Sequence, residues 1–193
     1  MRIVGGEWRS RRIRFPTRDD LRPTPDRVRE TVFNWLGQDL TGLVCLDLFS
    51  GSGALGFEAA SRGASRVVMV EQDRTTHAAL EENRAALKAT QVELVRGDAL
   101  EFVRADGAHY DVIFVDPPFS APCGELLPKL LGSRLKPNGY VYYESASGLE
   151  WPAEWQVFRQ ARAGKVVSQL VKRIVDEPHG GIPGDVRSDH AGS

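Results

Sequence analysis

The residues best suited to chemistry form one tetrapeptide, Asp116-Pro117-Pro118-Phe119, which directly follows the apolar run YDVIFV. Each proline fixes its own φ angle and lacks an N–H, and Pro118 also forces Pro117 into an extended conformation. The sequence therefore predicts a rigid turn in which the Asp116 carboxylate and the Pro117 carbonyl can accept hydrogen bonds from one donor. An amino group on an aromatic ring is such a donor, and two acceptors would stabilise its nitrogen as it gains positive charge during methyl transfer.

The aromatic end of the tetrapeptide, Phe119, offers a face on which an unstacked base can rest. Taken alone, the tetrapeptide would fit an ordinary surface turn with a capping aspartate better than a catalytic turn. Its place after a predicted strand favours the chemical role, because ligands of α/β sheets bind at the carboxyl ends of the strands. We therefore predict that Asp116, Pro117, Pro118 and Phe119 are the catalytic residues.

A glycine-rich segment, Gly51-Ser52-Gly53-Ala54-Leu55-Gly56, lies between a predicted strand and a predicted helix, the context in which G-x-G-x-x-G binds nucleotide cofactors. Glu71 closes the next predicted strand, where a carboxylate can accept hydrogen bonds from both hydroxyls of a ribose. These features fit NAD and S-adenosylmethionine equally well. Asp47 favours S-adenosylmethionine, because an anion beside the loop suits the methionine ammonium better than a pyrophosphate.

A third acid, Asp98, follows the third predicted strand. Its carboxylate can accept a hydrogen bond from the adenine amino group, cap the helix that begins there, or do both. The two cysteines, Cys45 and Cys123, have neither CxxC spacing nor a neighbouring histidine, so no metal site is predicted. The predicted cofactor-binding residues are Asp47, Phe49, Ser50, Gly51, Gly53, Glu71, Gln72, Asp98 and Ala99.

Positive charge is concentrated in two stretches, although the formal net charge of the chain is −1. Residues 1–18 contain six arginines and one acid, and residues 155–175 contain five Lys or Arg and no acid. Such runs are either solvated faces or nucleic-acid contacts, since arginine pairs with phosphates and stacks on exposed bases. For the N-terminal region we predict RNA binding by Arg2, Arg9, Arg11, Arg12, Arg14 and Arg22.

The elements that position these residues follow from short apolar runs that alternate with amphipathic segments from Leu43 onward. Such strands are buried on both faces, which predicts a parallel sheet covered by helices. Two more strands near 155–161 and 165–175, separated by Ala163-Gly164, are predicted to add an antiparallel hairpin at the sheet edge. The parallel strands are predicted at 43–48, 66–71, 91–95, 110–115 and 139–144, and the helices at 53–62, 74–88, 98–104 and 124–134.

The length of 193 residues predicts one main domain with short appendages. Residues 2–5 and 11–15 are predicted to pair as a small hairpin, and Asp26 to cap a helix that reaches Leu36. This divides the chain into a basic hairpin arm at 1–20, an α/β domain at 21–175 and a disordered tail at 176–193. Neither a leader peptide nor a membrane span is predicted, so a cytoplasmic protein is expected.

Nearly all of residues 1–175 resembles one family, the bacterial 16S ribosomal RNA guanine-N2 methyltransferases that modify guanine 966. The specific match is RPTPDRVRETVFNWL at 22–36, since (Asp/Asn)-Pro-Pro-(Phe/Tyr) also marks adenine-N6 and cytosine-N4 enzymes. The resemblance implies a Rossmann-like class I methyltransferase fold with a mostly parallel, seven-stranded sheet. It also implies S-adenosylmethionine as cofactor and 16S rRNA as substrate, in the 30S subunit or an assembly intermediate. A monomer is expected.

Other functions stay open on the residues alone. An adenine-N6 methyltransferase acting on RNA or DNA would use the same tetrapeptide. An NAD-dependent oxidoreductase fits the glycine-rich turn but leaves the tetrapeptide and the basic arm without a role. A catalytically silent RNA-binding protein would not need the acceptor residues.

Overall fold

The computed structural model describes residues 1–16, 25–118 and 126–174, which fold around one seven-stranded sheet of order β3-β2-β1-β4-β5-β7-β6. The first five strands in this order are parallel, and β7 runs antiparallel to both β5 and β6. The strands are β1 (Val44–Asp47), β2 (Arg66–Glu71), β3 (Val92–Arg96), β4 (Tyr110–Val115), β5 (Leu135–Ser145), β6 (Trp155–Ala163) and β7 (Val166–Arg173). The helices are α1 (Asp26–Trp35), α2 (Ala54–Ser61), α3 (Arg74–Leu87), α4 (Ala99–Ala105) and α5 (Leu126–Gly132).

Both faces of the sheet are buried, as the apolar strands predict. Side chains alternate along each strand, so that Phe114 of β4 packs on one face and Ile113 on the other. The first face, called here the arm face, is covered by α1, α2, α3 and the N-terminal segment. The opposite face is covered by α4 and α5. The predicted α/β architecture with an antiparallel edge hairpin is confirmed.

The N-terminal hairpin is present in its smallest form, one antiparallel bridge between Arg2 and Arg12. Besides the hydrogen bonds within the hairpin, two of its backbone groups bond to side chains of α2: Val4 N–H donates to Glu58 Oε2 at 2.9 Å and Trp8 N–H to Ser61 Oγ at 2.9 Å. The apolar side chains Ile3, Trp8 and Ile13 are buried in the core of the arm face. Residues 1–16 are therefore packed onto the domain and contribute to its core.

Most element boundaries differ from the predicted ones by one or two residues, and three differences have an identifiable cause. Asp26 is the first residue of α1, where its carboxylate pairs with Arg29, and Pro25 takes the capping position. The edge hairpin turns at Gly164-Lys165, because Ala163 already pairs with Val166. Strand β5 begins at Leu135 and passes a bulge before it continues, a start that its polar residues conceal in the sequence.

Some predictions fall outside the residues that the structure describes. These are the tail at 176–193 and the residues Arg22, Phe119 and Cys123. Within the described ranges, the helices are too short and too polar to span a membrane. No group of three or more His, Cys, Asp or Glu residues in those ranges is arranged to hold a metal ion.

Candidate active site

The glycine-rich loop follows β1 at the carboxyl edge of the sheet. Gly51 and Gly53 have φ angles of 49° and 80°, in the left-handed region that favours glycine. The N–H of Gly53 donates to the Ser50 carbonyl at 2.7 Å, which closes the turn. A Cβ on Gly53 would stand 2.7 Å from side-chain carbons of Leu80 and Phe57, so that only glycine fits there.

Asp47, the last residue of β1, is buried beneath this loop. Its Oδ2 accepts the N–H of Gly56 at 2.9 Å, which fixes the first turn of α2. Burial raises the pKa of Asp47 to about 7; the Glu71 charge adds to the rise, and the Gly56 hydrogen bond opposes it. A cation bound beside the loop would favour the ionised form of this carboxylate.

Glu71, at the end of β2, holds the loop from the other side. Its Oε2 accepts the N–H of Gly51 at 2.9 Å, and its Oε1 accepts the N–H of Asp73 at 2.8 Å. The side chain is half-buried, so that part of the carboxylate stays accessible. Glu71 and the glycine-rich loop are therefore in direct contact.

Asp98 stands after β3 and caps α4. Its Oδ1 accepts the N–H groups of Leu100 and Glu101, each at 2.9 Å, which is the capping role that the sequence left open. Because β3, β2 and β1 are neighbours in the sheet, Asp98, Glu71 and Asp47 follow one another along one edge. Of the remaining predicted cofactor residues, Ser50 and Ala99 are buried, Phe49 is half-buried and Gln72 is exposed.

The tetrapeptide starts at the end of β4, which pairs with β1 on the side opposite to β2. Asp47 stands opposite Phe114 in this pairing, and the Leu48 N–H donates to the Phe114 carbonyl at 3.0 Å. Asp116 comes two residues later and is half-buried, as is Pro117, whereas Pro118 is exposed. Two motifs that are far apart in the chain therefore meet on adjacent strands at one edge of the sheet.

A buried ion-pair network behind the loop is not apparent from the sequence. Glu58 of α2 is fully buried, and its carboxylate lies 3.2 Å from Arg29 Nη1 and 2.9 Å from Arg62 Nη2. The same carboxylate accepts the N–H of Val4, so that one side chain ties α1, α2 and the N-terminal segment together. Its only signal in the sequence is an acid within the otherwise apolar helix α2.

The N-terminal arginines form an exposed stripe beside α2. Met1 lies at the loop end, with its Sδ 4.0 Å from Ser52 Oγ, and the turn of the hairpin lies at the other end of α2, beside Ser61. Arg11 also donates from Nη2 to the Ala86 carbonyl at 3.0 Å, which fixes its side chain on α3. The exposed arginines of this stripe are Arg2, Arg9, Arg11, Arg12 and Arg14.

The second basic stretch lies on the edge hairpin. There the Arg159 guanidinium stands 4.2 Å from the centroid of the Phe158 ring, and the Lys172 ammonium 5.4 Å from it. These contacts give the two cations an aromatic neighbour within the hairpin itself.

The buried Asp47 leads to a prediction about the pH dependence of stability. Its folded pKa of about 7 lies above the ordinary 3.8, so that the folded chain binds a proton that the unfolded chain releases. The stabilisation that comes from this bound proton is fully present below about pH 4 and is lost as the pH rises to 7. In Asp47→Asn the free energy of unfolding should fall less steeply between pH 4 and pH 7, with a slope smaller by at most about 1.4 kcal/mol per pH unit.

Urea unfolding of both proteins at pH 5 and pH 7 measures this difference. Glu82→Gln, which removes an exposed carboxylate on α3, serves as the control and should follow the wild type. Parallel pH curves for Asp47→Asn and the wild type would show that Asp47 ionises normally.

Comparison with known proteins places this architecture among methyltransferases. The family described as conserved hypothetical protein 95 matches residues 1–172. A protein of Escherichia coli strain K12, named ribosomal RNA small subunit methyltransferase D, is 42% identical over 178 residues, which cover 90% of each chain. The protein of that name from Haemophilus influenzae is 39% identical and covers 88% of this chain and 92% of its own. The solved structure of the Escherichia coli protein yhhF, provisionally assigned as a methyltransferase, superposes with a TM-score of 0.82 at 41% identity, covering 90% of this chain and 97% of its own.

Proposed function

The chain belongs to the conserved hypothetical protein 95 family, and from that membership we propose that it is an S-adenosylmethionine-dependent methyltransferase of ribosomal RNA. Its substrate is 16S rRNA within the 30S subunit or an assembly intermediate, and its target is the exocyclic N2 of a guanine, guanine 966. The observation that carries this proposal is the meeting of the glycine-rich loop and Asp116-Pro117 on the adjacent strands β1 and β4.

The carboxyl edge of the sheet suits S-adenosylmethionine. When bound, this cofactor supplies a methyl group on a sulfonium. In the proposed arrangement Glu71 holds the ribose hydroxyls, Asp47 faces the methionine ammonium and Asp98 accepts from the adenine amino group. The glycine-rich loop lets the backbone approach the ligand closely. The other residues proposed to contact the cofactor are Phe49, Ser50, Gly51, Gly53, Gln72 and Ala99.

The acceptor amine is activated by position and by charge. The lone pair of an amine on a purine ring is delocalised, so that the nitrogen is a weak nucleophile until it becomes pyramidal. The Asp116 carboxylate and the Pro117 carbonyl accept its two N–H groups and stabilise the positive charge that develops on the nitrogen. Pro118 keeps the turn rigid, and Phe119 offers a stacking face to the base. The alkylated ammonium is acidic and releases its proton to water, so that no strongly shifted base is required.

The proposed reaction is tested on small subunits purified from cells that lack the modification. We expect the chain to transfer a labelled methyl group from S-adenosylmethionine, and mass spectrometry of the digested RNA to find N2-methylguanosine. N6-methyladenosine in its place would overturn the guanine assignment. Tight RNA binding without methyl transfer would instead support a silent RNA-binding protein.

The exposed arginines of the N-terminal segment are proposed to contact rRNA phosphates. We expect Arg9→Ala and Arg12→Ala each to reduce the slope of log affinity against log salt by about one unit, since each lost phosphate contact releases one counterion fewer. The affinity for S-adenosylmethionine should not change. RNA binding at two salt concentrations and calorimetry with the cofactor measure both effects.

The matched control is Arg104→Ala, an exposed arginine on α4 at the opposite face of the sheet. Equal salt slopes for all four proteins would make the stripe a solvated surface. Point substitutions suit this test better than deletion of residues 1–16, because Ile3, Trp8 and Ile13 belong to the buried core.

A further inference from the structure

A carboxylate that the proposed reaction has not yet used lies one strand beyond Asp116. Strand β5 pairs in parallel with β4, with Phe114 opposite Tyr142 and Val115 opposite Tyr143. Continuing this register by one residue places Asp116 beside Glu144, at the spacing of about 5 Å between neighbouring strands. Both acids point to the arm face, because side chains alternate and Phe114 and Tyr142 already lie on that face.

Three acids therefore lie on the arm face near the carboxyl edge of the sheet, with Asp47 two residues earlier along the strands than Asp116 and Glu144. Asp47 of β1 stands on the cofactor side, Asp116 of β4 in the middle, and Glu144 of β5 on the far side. A base whose amine is bound by Asp116 must extend away from the methyl donor. Its remaining atoms are then directed toward Glu144.

A hydrogen bond from Tyr142 holds the Glu144 carboxylate in place. The Tyr142 hydroxyl lies 2.6 Å from Glu144 Oε2 and 3.1 Å from Ser168 Oγ of β7. A phenol has one proton, so that Tyr142 donates to the carboxylate and Ser168 donates to the phenol oxygen. Glu144 is only 8% exposed, so that its carboxylate reaches the surface over a small area.

Burial disfavours the ionised form of this carboxylate. Burial raises the pKa of Glu144, and the Tyr142 hydrogen bond opposes that rise. Burial also raises the pKa of Tyr142 well above its ordinary value, and the charges of Glu144 and Asp116 add to the rise. Both acids therefore lie near the Tyr142 phenol. An N–H donor to Oε1 would offset the desolvation of the carboxylate.

We propose that Glu144 is a specificity-determining residue that accepts the N1–H of the target guanine and thereby excludes adenine. This inference rests on the proposed guanine-N2 methylation. In guanine the N1–H is adjacent to the exocyclic amine, so that two neighbouring carboxylates match two neighbouring donors. In adenine N1 carries a lone pair, which a carboxylate repels. Tyr142 and Ser168 act as positioning residues for Glu144.

The test uses small-subunit RNA joined from two fragments, so that the target position carries either guanine or 2-aminopurine. The analogue keeps the exocyclic N2 amine but has no hydrogen on N1. We expect the wild-type chain to prefer guanine in kcat/KM by about 10- to 100-fold, the factor expected for a hydrogen bond to a charged group. Glu144→Gln should lose that factor on guanine and change much less on 2-aminopurine, since an amide can donate to a bare N1.

The ratio of the two substrates separates specificity from structural damage. A general defect lowers both rates together, and an unchanged ratio in Glu144→Gln would overturn the inference while leaving the proposed function intact. Tyr142→Phe removes the supporting hydroxyl and should reduce the ratio by a smaller factor, which carries the test if Glu144→Gln does not fold. Glu82→Gln is the matched control and should keep the wild-type ratio. Transfer by the wild type to adenine in place of guanine would overturn the proposed function itself.

Discussion

Asp116→Ala is expected to lower kcat for methyl transfer by about 100- to 1000-fold, the usual effect of losing one group that stabilises developing charge. The side chain is proposed to accept from the reacting amine, so its loss should affect the chemical step and leave the affinity for S-adenosylmethionine within a few-fold. Single-turnover transfer to small subunits measures the first quantity, and calorimetry measures the second.

The conservative variant tests whether hydrogen-bond acceptance is the role of Asp116. Asp116→Asn keeps one acceptor oxygen and should retain more activity than Asp116→Ala. Thermal unfolding of both variants excludes loss of the fold as the cause. If both variants transfer methyl groups at the wild-type rate, Asp116 does not contact the acceptor amine.

The edge of the sheet that carries the candidate site could be predicted from the sequence, because the signals that mark it are local. Apolar strands followed by Gly51, Glu71 and Asp98 indicate a parallel sheet, and the carboxyl ends of parallel strands meet at one edge. The same rule brings Asp116 to the edge that carries the glycine-rich loop, and the pairing of β1 with β4 makes the two neighbours. The order of the strands depends on contacts between distant segments and was not predicted from the sequence.

Contacts between distant segments explain what the sequence did not reveal. Arg29 and Arg62 resemble solvated charges in the sequence, yet both bind Glu58 behind the loop. Glu144 stands at a strand end with no partner at a recognisable spacing, and its significance depends on the register with β4. The arginine-rich start of the chain suggests a projecting arm, whereas its three large apolar side chains are buried.

Glu71→Ala is expected to weaken S-adenosylmethionine binding by about 1–3 kcal/mol, equivalent to roughly 5- to 150-fold in Kd. Two losses add up: the ribose hydroxyls lose their acceptor, and the N–H groups of Gly51 and Asp73 lose theirs, so that the loop is less well ordered before the ligand arrives. Calorimetric titration with the cofactor or its demethylated product measures the change.

Glutamine at position 71 tests whether both side-chain oxygens must accept hydrogen bonds. Oε1 and Oε2 each accept a backbone N–H, so that an amide satisfies one of them and turns a donor toward the other. Glu71→Gln should therefore bind nearly as weakly as Glu71→Ala. In contrast, Glu93→Gln on the neighbouring strand, where the carboxylate is exposed and pairs with Arg66, should bind as the wild type does. Wild-type affinity in Glu71→Gln would mean that the carboxylate neither orders the loop nor holds the ribose, and unchanged tight binding of NAD by all variants would point to a different cofactor.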